Sequence, residues 1–197
     1  MAPTLDLADA TLIHKPFSHF AAGDCLDEAT ADRLLRWFER EAPWRGYRDE
    51  FYDFDGVSLR DVQLPADLAF LVEQPFLERA RQDIEAIFTT RLGPRVGVAG
   101  QYLRPGRDIG VHSDFGPHCQ SHRIVLQLNH GWSVDQGGIL MLLDTDQPTE
   151  LTEDHCLYVP EHRSAVGFAI SERSYHAVTK VVDGDRYSLC ISFSADA

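Results

Sequence analysis

Residues 174–193, SYHAVTKVVDGDRYSLCISF, are typical of two short β-strands on either side of an Asp-Gly turn. Similar runs rich in Val, Ile, Leu and Tyr recur upstream, separated by Gly, Pro, Asp and Asn. The pattern predicts eight strands, near 96–103, 108–112, 122–129, 138–143, 155–159, 164–169, 174–181 and 186–193. Eight short strands within about 100 residues are typical of a β-sandwich or jelly roll.

The first part of the chain has helical periodicity instead. Apolar residues spaced as on one helix face predict a helix over about 27–41, ended by Pro43, and another over about 75–91. Between them, residues 46–56 mix aromatic and acidic side chains without a clear period, so we predict a loop there. The expected fold is mostly β, with N-terminal helices that pack as a layer on a barrel-like core.

Composition limits both the size and the partners of the protein. A chain of 197 residues, 44% of them hydrophobic, is expected to form a single domain over 1–197, with a helical support region (1–94) and a jelly-roll core (95–194). Its 31 acidic and 18 basic residues give a net charge of −13, which disfavours binding to duplex nucleic acid or to anionic membranes. A neutral or cationic substrate is favoured. Oligomeric state is not predicted.

The expected compartment is the cytoplasm. The longest aliphatic run, 139–143, is far shorter than the roughly 20 residues of a membrane span. The N-terminus lacks the basic and apolar segments of a signal peptide. The four cysteines are widely separated and form no C-x-x-C pair, which is typical of reduced thiols rather than of a disulfide framework.

A first candidate site is the triplet His112-Ser113-Asp114. On a strand, residues i and i+2 point to the same face, so this imidazole and this carboxylate could hold one metal ion. Alternatively, Asp114 ends a strand and begins a turn at 115–117. A further histidine would complete a facial triad of two histidines and one carboxylate, the ligand set of non-haem Fe(II) oxygenases.

The candidates for that further ligand are His118, His122, His130, His155, His162 and His176. Only His176 is followed by a clear strand, AVTKVV, and then by Arg186-Tyr187-Ser188. Arg186 and Ser188 share a strand face, and a guanidinium beside a hydroxyl is a good receptor for a buried carboxylate. Alternatively, Arg186 forms a surface ion pair with Asp183 or Asp185.

Together these motifs resemble the Fe(II)/2-oxoglutarate-dependent oxygenases, in particular their prolyl-hydroxylase-like branch. The resemblance covers about 96–194. His112-Ser113-Asp114 is similar to the H-x-D motif of that family, and His176 to its distal histidine. Arg186-Tyr187-Ser188 is similar to its R-x-S motif, and Gly137-Gly138-Ile139-Leu140 to its G-G-x-L strand.

The resemblance implies a double-stranded β-helix with Fe(II), 2-oxoglutarate and O2 as cofactor and co-substrates, and ascorbate as a reductant. The implied metal ligands are His112, Asp114 and His176. The implied 2-oxoglutarate contacts are Arg186, Ser188, Tyr102, which lies ten residues before the H-x-D motif, and Gln127, which precedes a Leu-Asn strand end at Asn129. The implied activity is hydroxylation of an unactivated C–H bond in an amino acid, a peptidyl residue or a related small natural-product metabolite, with release of succinate and CO2.

The outcome of the implied reaction depends on Asp114. Halogenating relatives have a small residue at that position, which frees a metal site for halide. The carboxylate in this sequence therefore implies hydroxylation or, less often, desaturation or ring formation.

The Asp-Gly turn provides a geometric test of the site. In a tight hairpin, Val181 would lie opposite Arg186, and opposed residues share a sheet face. Because Val181 is an odd number of residues from His176, Arg186 would then point away from the metal. We therefore predict that strands 174–181 and 186–193 belong to different sheets.

Several alternatives stay open at this point. A cupin-like, non-catalytic metal-binding module would have a similar core, although it would not need a carboxylate receptor. Oxidative nucleic-acid demethylation is disfavoured by the acidic charge. Residues 46–56 are either a solvated loop or a lid that recognises a cationic or polar amino-acid-like substrate through its acids, Asp49, Glu50, Asp53 and Asp55. His118 and His122 either support the structure or contact substrate.

Overall fold

The computed structural model describes residues 4–116, 120–148 and 152–196. Within these residues the strands are β1 (His19–Ala22), β2 (Arg45–Arg48), β3 (Asp53–Ser58), β4 (Leu92–Leu103), β5 (Ile109–His112), β6 (Gln120–Gln127), β7 (Leu140–Leu143), β8 (Cys156–Tyr158), β9 (Ala165–Ala169), β10 (Tyr175–Val178) and β11 (Arg186–Ala195). The helices are α1 (Glu28–Arg40) and α2 (Gln74–Phe88), with 3-10 turns at Ala69–Val72 and Val134–Gln136.

The strands form two antiparallel sheets. The larger sheet has seven strands in the order β1-β9-β6-β11-β4-β3-β2, and the smaller has four in the order β5-β10-β7-β8. Since neighbouring strands are mostly distant in sequence, the chain crosses repeatedly from one sheet to the other, as in a jelly roll. The predicted fold, a double-stranded β-helix core flanked by a helical layer, is confirmed.

Side chains on the two faces of β11 belong to two different hydrophobic cores. Leu189, Ile191 and Phe193 point to the outer face of the large sheet and belong to the larger core, which includes both helices. Cys190 points the other way, into a smaller core that it shares with Leu142 of the small sheet. The helices therefore cover one face of the large sheet and the small sheet covers the other.

Both predicted helices are present. Helix α1 matches the prediction over 27–41, and it begins at a side-chain cap in which the carboxylate of Asp27 accepts a 3.0 Å hydrogen bond from the amide of Thr30. The helix predicted over 75–91 ends earlier, before Thr89, whose φ of 51° is left-handed. In the part of the chain that the structure describes, no helix is both long and apolar enough to cross a membrane.

All eight predicted strands are present, with somewhat different ends, but the N-terminal half is not purely helical. β1 lies at one edge of the large sheet, and β3 and β2 extend it at the other. The prediction of a loop over 46–56 is wrong, because β2 and β3 form an antiparallel hairpin that pairs Tyr47 with Phe54. The sequence of this hairpin does not show the usual alternation of apolar and polar residues, because it contains acidic side chains that form ion pairs within the protein.

The chain passes from the small sheet to the large one between β10 and β11, as the sequence predicts. β10 pairs with β5 and β7, whereas β11 pairs with β4 and β6. In the connection, Val181 bridges to Gly137, and its carbonyl accepts a 2.8 Å hydrogen bond from the amide of Gly106. The simple hairpin is therefore excluded, and strands carrying His176 and Arg186 face each other across the inter-sheet space.

Asn129, just after β6, ties that strand to its neighbours through its side chain. The side-chain amide donates to the carbonyl oxygens of Pro160 (2.9 Å) and Tyr187 (3.1 Å), and the side-chain carbonyl accepts from the amide of Tyr187 (2.7 Å). One buried amide thus satisfies the carbonyl of Pro160 and the amide of Tyr187, and it adds a second hydrogen bond to the carbonyl of Tyr187, which also accepts from the amide of Leu128.

We expect Asn129→Ala to lower the free energy of unfolding by about 1–3 kcal/mol, because buried backbone groups lose their partners. Urea denaturation at equilibrium measures this change. The matched control is Thr11→Ala at an exposed position, which should shift stability by less than about 0.5 kcal/mol. Equal effects of the two substitutions would contradict this role of Asn129.

Candidate active site

His112 and Asp114 lie at the end of β5. The ring Nδ1–H of His112 donates to the carbonyl of Gly110 at 2.8 Å, which leaves the Nε2 lone pair free for a metal. The strand ends at His112, and Asp114 has a left-handed φ of 57°. A turn after the strand, rather than simple strand alternation, therefore brings the carboxylate back toward the imidazole.

His176 completes this group from β10, the neighbouring strand. It pairs in register with His112, is buried, and donates from Nδ1 to the carbonyl of Ser174 at 2.9 Å. Its Nε2 lies 3.1 Å from Oδ2 of Asp114, and Nε2 of His112 lies 3.6 Å from Oδ1. One ligand atom from each of the three residues lies within 4.8 Å of the others, which is the spacing of a facial triad.

The environment of His176 and Asp114 favours the protonation states that bind metal. Burial lowers the pKa of His176, which favours the neutral imidazole. Burial alone would raise the pKa of Asp114, but the Arg123 guanidinium and the adjacent histidines outweigh it and hold that pKa far below its usual range. The site therefore offers two imidazole nitrogens and one carboxylate.

Arg123 on β6 is a residue of the site that the sequence analysis missed. Its Nη1 donates to Oδ2 of Asp114, its Nη2 to Oε1 of Gln120 at 2.7 Å, and its Nε to Oγ of Ser192 at 3.2 Å. The guanidinium is therefore held on three sides and fixes the orientation of the carboxylate. Arg123 alternates with Val125 and Gln127 on one face of β6, and this pattern could have placed it inward.

A second group of polar side chains lies on the inner face of the large sheet. Arg186, Ser188 and Gln127 are all at least 98% buried, and Ser188 is directly opposite Gln127 in the ladder. Among the described residues, no hydrogen bond reaches Nη1 or Nη2 of Arg186, Oγ of Ser188 or the side-chain amide of Gln127. Such groups are costly to bury unpaired, so together they form a receptor for an anionic ligand with several acceptor oxygens.

Two glycines leave room for the arginine of this receptor. Nε of Arg186 donates to the carbonyl of Gly138 at 2.8 Å. A Cβ on Gly138 would lie 2.8 Å from Cδ of Arg186, and one on Gly137 would lie 2.0 Å from the carbonyl oxygen of Lys180. Both glycines also have positive φ. Backbone conformation therefore favours glycine at both positions, the Lys180 carbonyl excludes a side chain at 137, and the Arg186 side chain leaves little room for one at 138.

Tyr102 does not belong to the receptor, which corrects the prediction that it contacts the co-substrate. It lies opposite Tyr187 in the ladder, and the two rings stack at 4.6 Å on the outer face of the large sheet. Its hydroxyl donates to Asp185 at 2.8 Å. The residue of β4 that shares a face with Arg186 is its ladder partner, Leu103.

A cavity of about 700 Å³ opens beside the three converging residues. Its walls include four aromatic side chains, Phe51, Tyr52, Phe115 and Tyr175, together with His112, Asp114 and Arg123. The backbone of Phe51 is fixed there, because its carbonyl accepts a 2.7 Å hydrogen bond from the amide of Gly110. The turn of the β2–β3 hairpin therefore forms one wall of the cavity.

Three of the four acids of this hairpin are engaged within the protein, which disfavours the alternative of a cation-recognising lid. Asp55 is buried and pairs with Arg104 and Arg107 at 3.0 Å each, while Asp53 pairs with Arg48 at 3.1 Å. The carboxylate of Asp49 caps the hairpin turn by accepting from the amides of residues 51 and 52. Three of the four acids are thus used to hold the hairpin, and aromatic rings rather than carboxylates reach the cavity.

The remaining histidine predictions have a mixed outcome. His122 lies on the outer face of β6 with its ring 4.6 Å from that of Phe88, and burial lowers its pKa to about 4, so it supports the core. His155 pairs with Asp144 at 2.7 Å. His118 lies outside the described residues. His130 and His162 come together with Asp32 in a separate cluster.

Residues 99–193 match the family model described as the 2OG-Fe(II) oxygenase superfamily. No curated protein sequence matches the chain. Many solved structures share its fold. A prolyl-4-hydroxylase from Pseudomonas putida is 18% identical with a TM-score of 0.71, and the match covers 98% of this chain and 96% of that one.

Two further structures show how widely this fold is used. A prolyl hydroxylase from Trichoplax adhaerens, solved with a peptide fragment of the hypoxia inducible factor oxygen degradation domain, is 11% identical with a TM-score of 0.66 and coverages of 89% and 83%. SnoN, a non-heme α-ketoglutarate-dependent epimerase from nogalamycin biosynthesis, is 12% identical with a TM-score of 0.63 and coverages of 90% and 78%. At these identities, the likeness concerns the fold.

We expect Arg123→Met to weaken binding of a divalent metal by about 10- to 100-fold, because Asp114 loses the group that orients its carboxylate. Anaerobic titration with Fe(II) or Mn(II) measures the affinity, and circular dichroism verifies the fold. Arg95→Met, at an exposed position of β4, is the matched control and should leave the affinity unchanged. Native affinity in a folded Arg123→Met protein would refute the role given to this arginine.

Proposed function

Residues 99–193 of this chain belong to the 2OG-Fe(II) oxygenase superfamily, and on that premise we propose that the protein hydroxylates an unactivated C–H bond. The proposed substrate is an amino acid, a peptidyl residue or a related small metabolite. Fe(II), 2-oxoglutarate and O2 are the cofactor and co-substrates of the family. When bound, they supply the oxidising chemistry, and the proposed by-products are succinate and CO2.

The observation that carries this proposal is the pairing of a metal triad with an unsatisfied anion receptor on facing sheets. His112, Asp114 and His176 have the donor set for Fe(II) and are assigned to it. Arg186, whose four Nη–H groups lack partners among the described residues, is assigned to the distal carboxylate of 2-oxoglutarate. Burial lowers its pKa to about 10, so the guanidinium is still charged at neutral pH.

Ser188 and Gln127 are assigned to the same carboxylate as neutral partners. The Ser188 hydroxyl and the Gln127 amide each have a donor with no partner among the residues described. Ser188 lies two residues after Arg186 on β11, and Gln127 lies opposite Ser188 on β6. Because the receptor excludes water, each hydrogen bond to the carboxylate is stronger than it would be at the surface. These residues thereby fix the direction in which the co-substrate points toward the metal.

The cavity supports a substrate with an apolar part and few charges. Four aromatic rings form much of its wall, and the hairpin acids Asp53 and Asp55 are engaged elsewhere. A peptide or a small molecule would fit this description, since the fold accommodates a peptide in the Trichoplax enzyme and small-molecule chemistry in SnoN. We favour a substrate with a neutral group at its reacting carbon. For a substrate with a cationic group, the Asp146 carboxylate in the cavity wall is available to bind it.

Two observations weigh against the alternative functions. A non-catalytic metal-binding module has no use for a buried, unpaired guanidinium, which is costly to retain without a ligand. A nucleic-acid demethylase needs basic surface for phosphates, and the net charge of −13 opposes that. Hydroxylation is favoured over halogenation because Asp114 occupies the third metal-ligand position as a carboxylate.

The test is turnover of 2-oxoglutarate by the purified protein with Fe(II) and ascorbate in air. We expect succinate and CO2 in equal amounts, slowly without substrate and faster when a candidate amino acid or peptide is hydroxylated. Under anaerobic conditions, Fe(II) and 2-oxoglutarate together should produce a visible absorption band, which His176→Ala should abolish. Absence of both the band and succinate from the folded protein would favour the binding-module alternative.

We expect Arg186→Met to raise the KM for 2-oxoglutarate by at least about 30-fold, because loss of one partner from a buried charge pair costs about 2–5 kcal/mol. Steady-state succinate formation at varied 2-oxoglutarate measures it. Exposed Arg91→Met is the control and should keep the native KM. An unchanged KM for Arg186→Met would remove this residue from the co-substrate site.

A further inference from the structure

A second group of metal-ligating side chains lies away from the active site, where three separate segments meet. Asp32 is on α1, His130 is in the turn after β6, and His162 is in the turn before β9. Nε2 of His130 lies 2.7 Å from Oδ1 of Asp32, and Nε2 of His162 lies 3.3 Å from the same oxygen. We call these residues the helix–turn cluster.

His162 is the member whose environment is unusual. Its side chain is only 9% exposed, and neither ring nitrogen makes a hydrogen bond within the described parts of the chain. Although Nε2 is near Asp32, its direction is not that of a hydrogen bond, while His130 already occupies the carboxylate. A buried imidazole with two unsatisfied nitrogens normally has a partner, so this ring can take a ligand that the described residues do not supply.

The two rings lie close to the same carboxylate oxygen. His130 and His162 stack with 3.6 Å between centroids and 28° between planes, and Nε2 of each ring lies within 3.3 Å of Oδ1 of Asp32. Three ligand atoms, two nitrogens and one oxygen, lie within 4.8 Å of one another. A tetrahedral ion with bonds of about 2.0–2.1 Å separates its ligand atoms by roughly 3.3 Å, so His162 and Asp32 already have that spacing. The exposed His130 side chain must move outward and rotate out of the stack so that its lone pair reaches the same ion.

The charges in the cluster suit a dication. Burial, and after it the neighbouring His130, lowers the pKa of His162, which favours the neutral ring. The hydrogen bond from His130 lowers the pKa of Asp32, so the carboxylate is ionised. Of the nearby cations, Arg163 is engaged with the carbonyl of Leu26 at 2.7 Å and the carboxylate of Asp24 at 3.0 Å.

We propose that Asp32, His130 and His162 form a second metal site, for a d-block dication of the Zn²⁺ class. Imidazole nitrogens with a carboxylate oxygen are borderline donors that suit Zn²⁺, Co²⁺ or Ni²⁺ better than Mg²⁺ or Ca²⁺. Three protein ligands leave at least one coordination position for water.

The proposal is independent of the function of the active site. α1 packs on the outer face of the large sheet, whereas the triad of His112, Asp114 and His176 lies between the sheets. A metal in the helix–turn cluster would join α1 to the ends of β6 and β9, and any ligand that binds only the folded state stabilises it. It should therefore raise the melting temperature whether or not the protein is an oxygenase.

The experiment counts metal equivalents in the full chain. Isothermal titration with Zn²⁺ of the metal-free protein should give two equivalents for the native sequence and one for His130→Gln/His162→Gln. In the His112→Ala/His176→Ala protein, the remaining equivalent should belong to the helix–turn cluster and disappear when His130 and His162 are also replaced. The matched control is His14→Gln at an exposed position, which should keep two equivalents.

Two further measurements separate the proposal from a loss of folding. Circular dichroism should show native secondary structure in every variant, and Zn²⁺ should raise the melting temperature of the His112→Ala/His176→Ala protein but not of the protein lacking all four histidines. With Asp32→Asn, the affinity of the second equivalent should fall at least about tenfold, because an anionic ligand is lost. A single equivalent in the native protein, or a second one that survives removal of His130 and His162, would overturn the proposal.

Discussion

A guanidinium buried between two sheets with no carboxylate partner among the described residues constrains much of this structure. Arg186 is 1% exposed, and its one hydrogen bond within the described protein is from Nε to the carbonyl of Gly138. Keeping a charged group in such a place requires dipoles around it and a ligand in front of it. The glycine pair before β7, the hydroxyl of Ser188 and the amide of Gln127 are all arranged to meet that requirement.

The same constraint explains why two sheets are needed. The triad is carried by the small sheet and by the turn that follows β5, whereas the anion receptor lies on the inner face of the large sheet. Neither sheet alone could hold both the proposed metal and the distal carboxylate of 2-oxoglutarate in one buried space. The chain crosses between them within the short connection from β10 to β11, so the position of His176 relative to Arg186 is set by a few residues.

Much of the core was predictable from the sequence, because strand punctuation and the H-x-D, distal histidine and R-x-S motifs are local signals. The errors also have physical causes. Tyr102 was placed in the site by its distance in sequence from His112, but strand alternation places its neighbour Leu103 inward. Arg123 was missed because its partner, Asp114, is nine residues away across a turn. The hairpin escaped prediction because its alternating pattern includes acids that are neutralised by arginines distant in sequence.

The attachment of the β2–β3 turn has an evolutionary consequence. Phe51 and Tyr52 reach the cavity from one short turn, whose backbone is held by the Asp49 carboxylate and by the contact between Phe51 and Gly110. The two aromatic side chains differ in their contacts: the Tyr52 hydroxyl donates to Asp114 at 3.4 Å and its ring lies edge-on to that of His112, whereas the support of Phe51 comes from main-chain atoms. Substrate preference in such a scaffold can therefore diversify through the codon for Phe51 while Tyr52 is inherited together with the metal ligands.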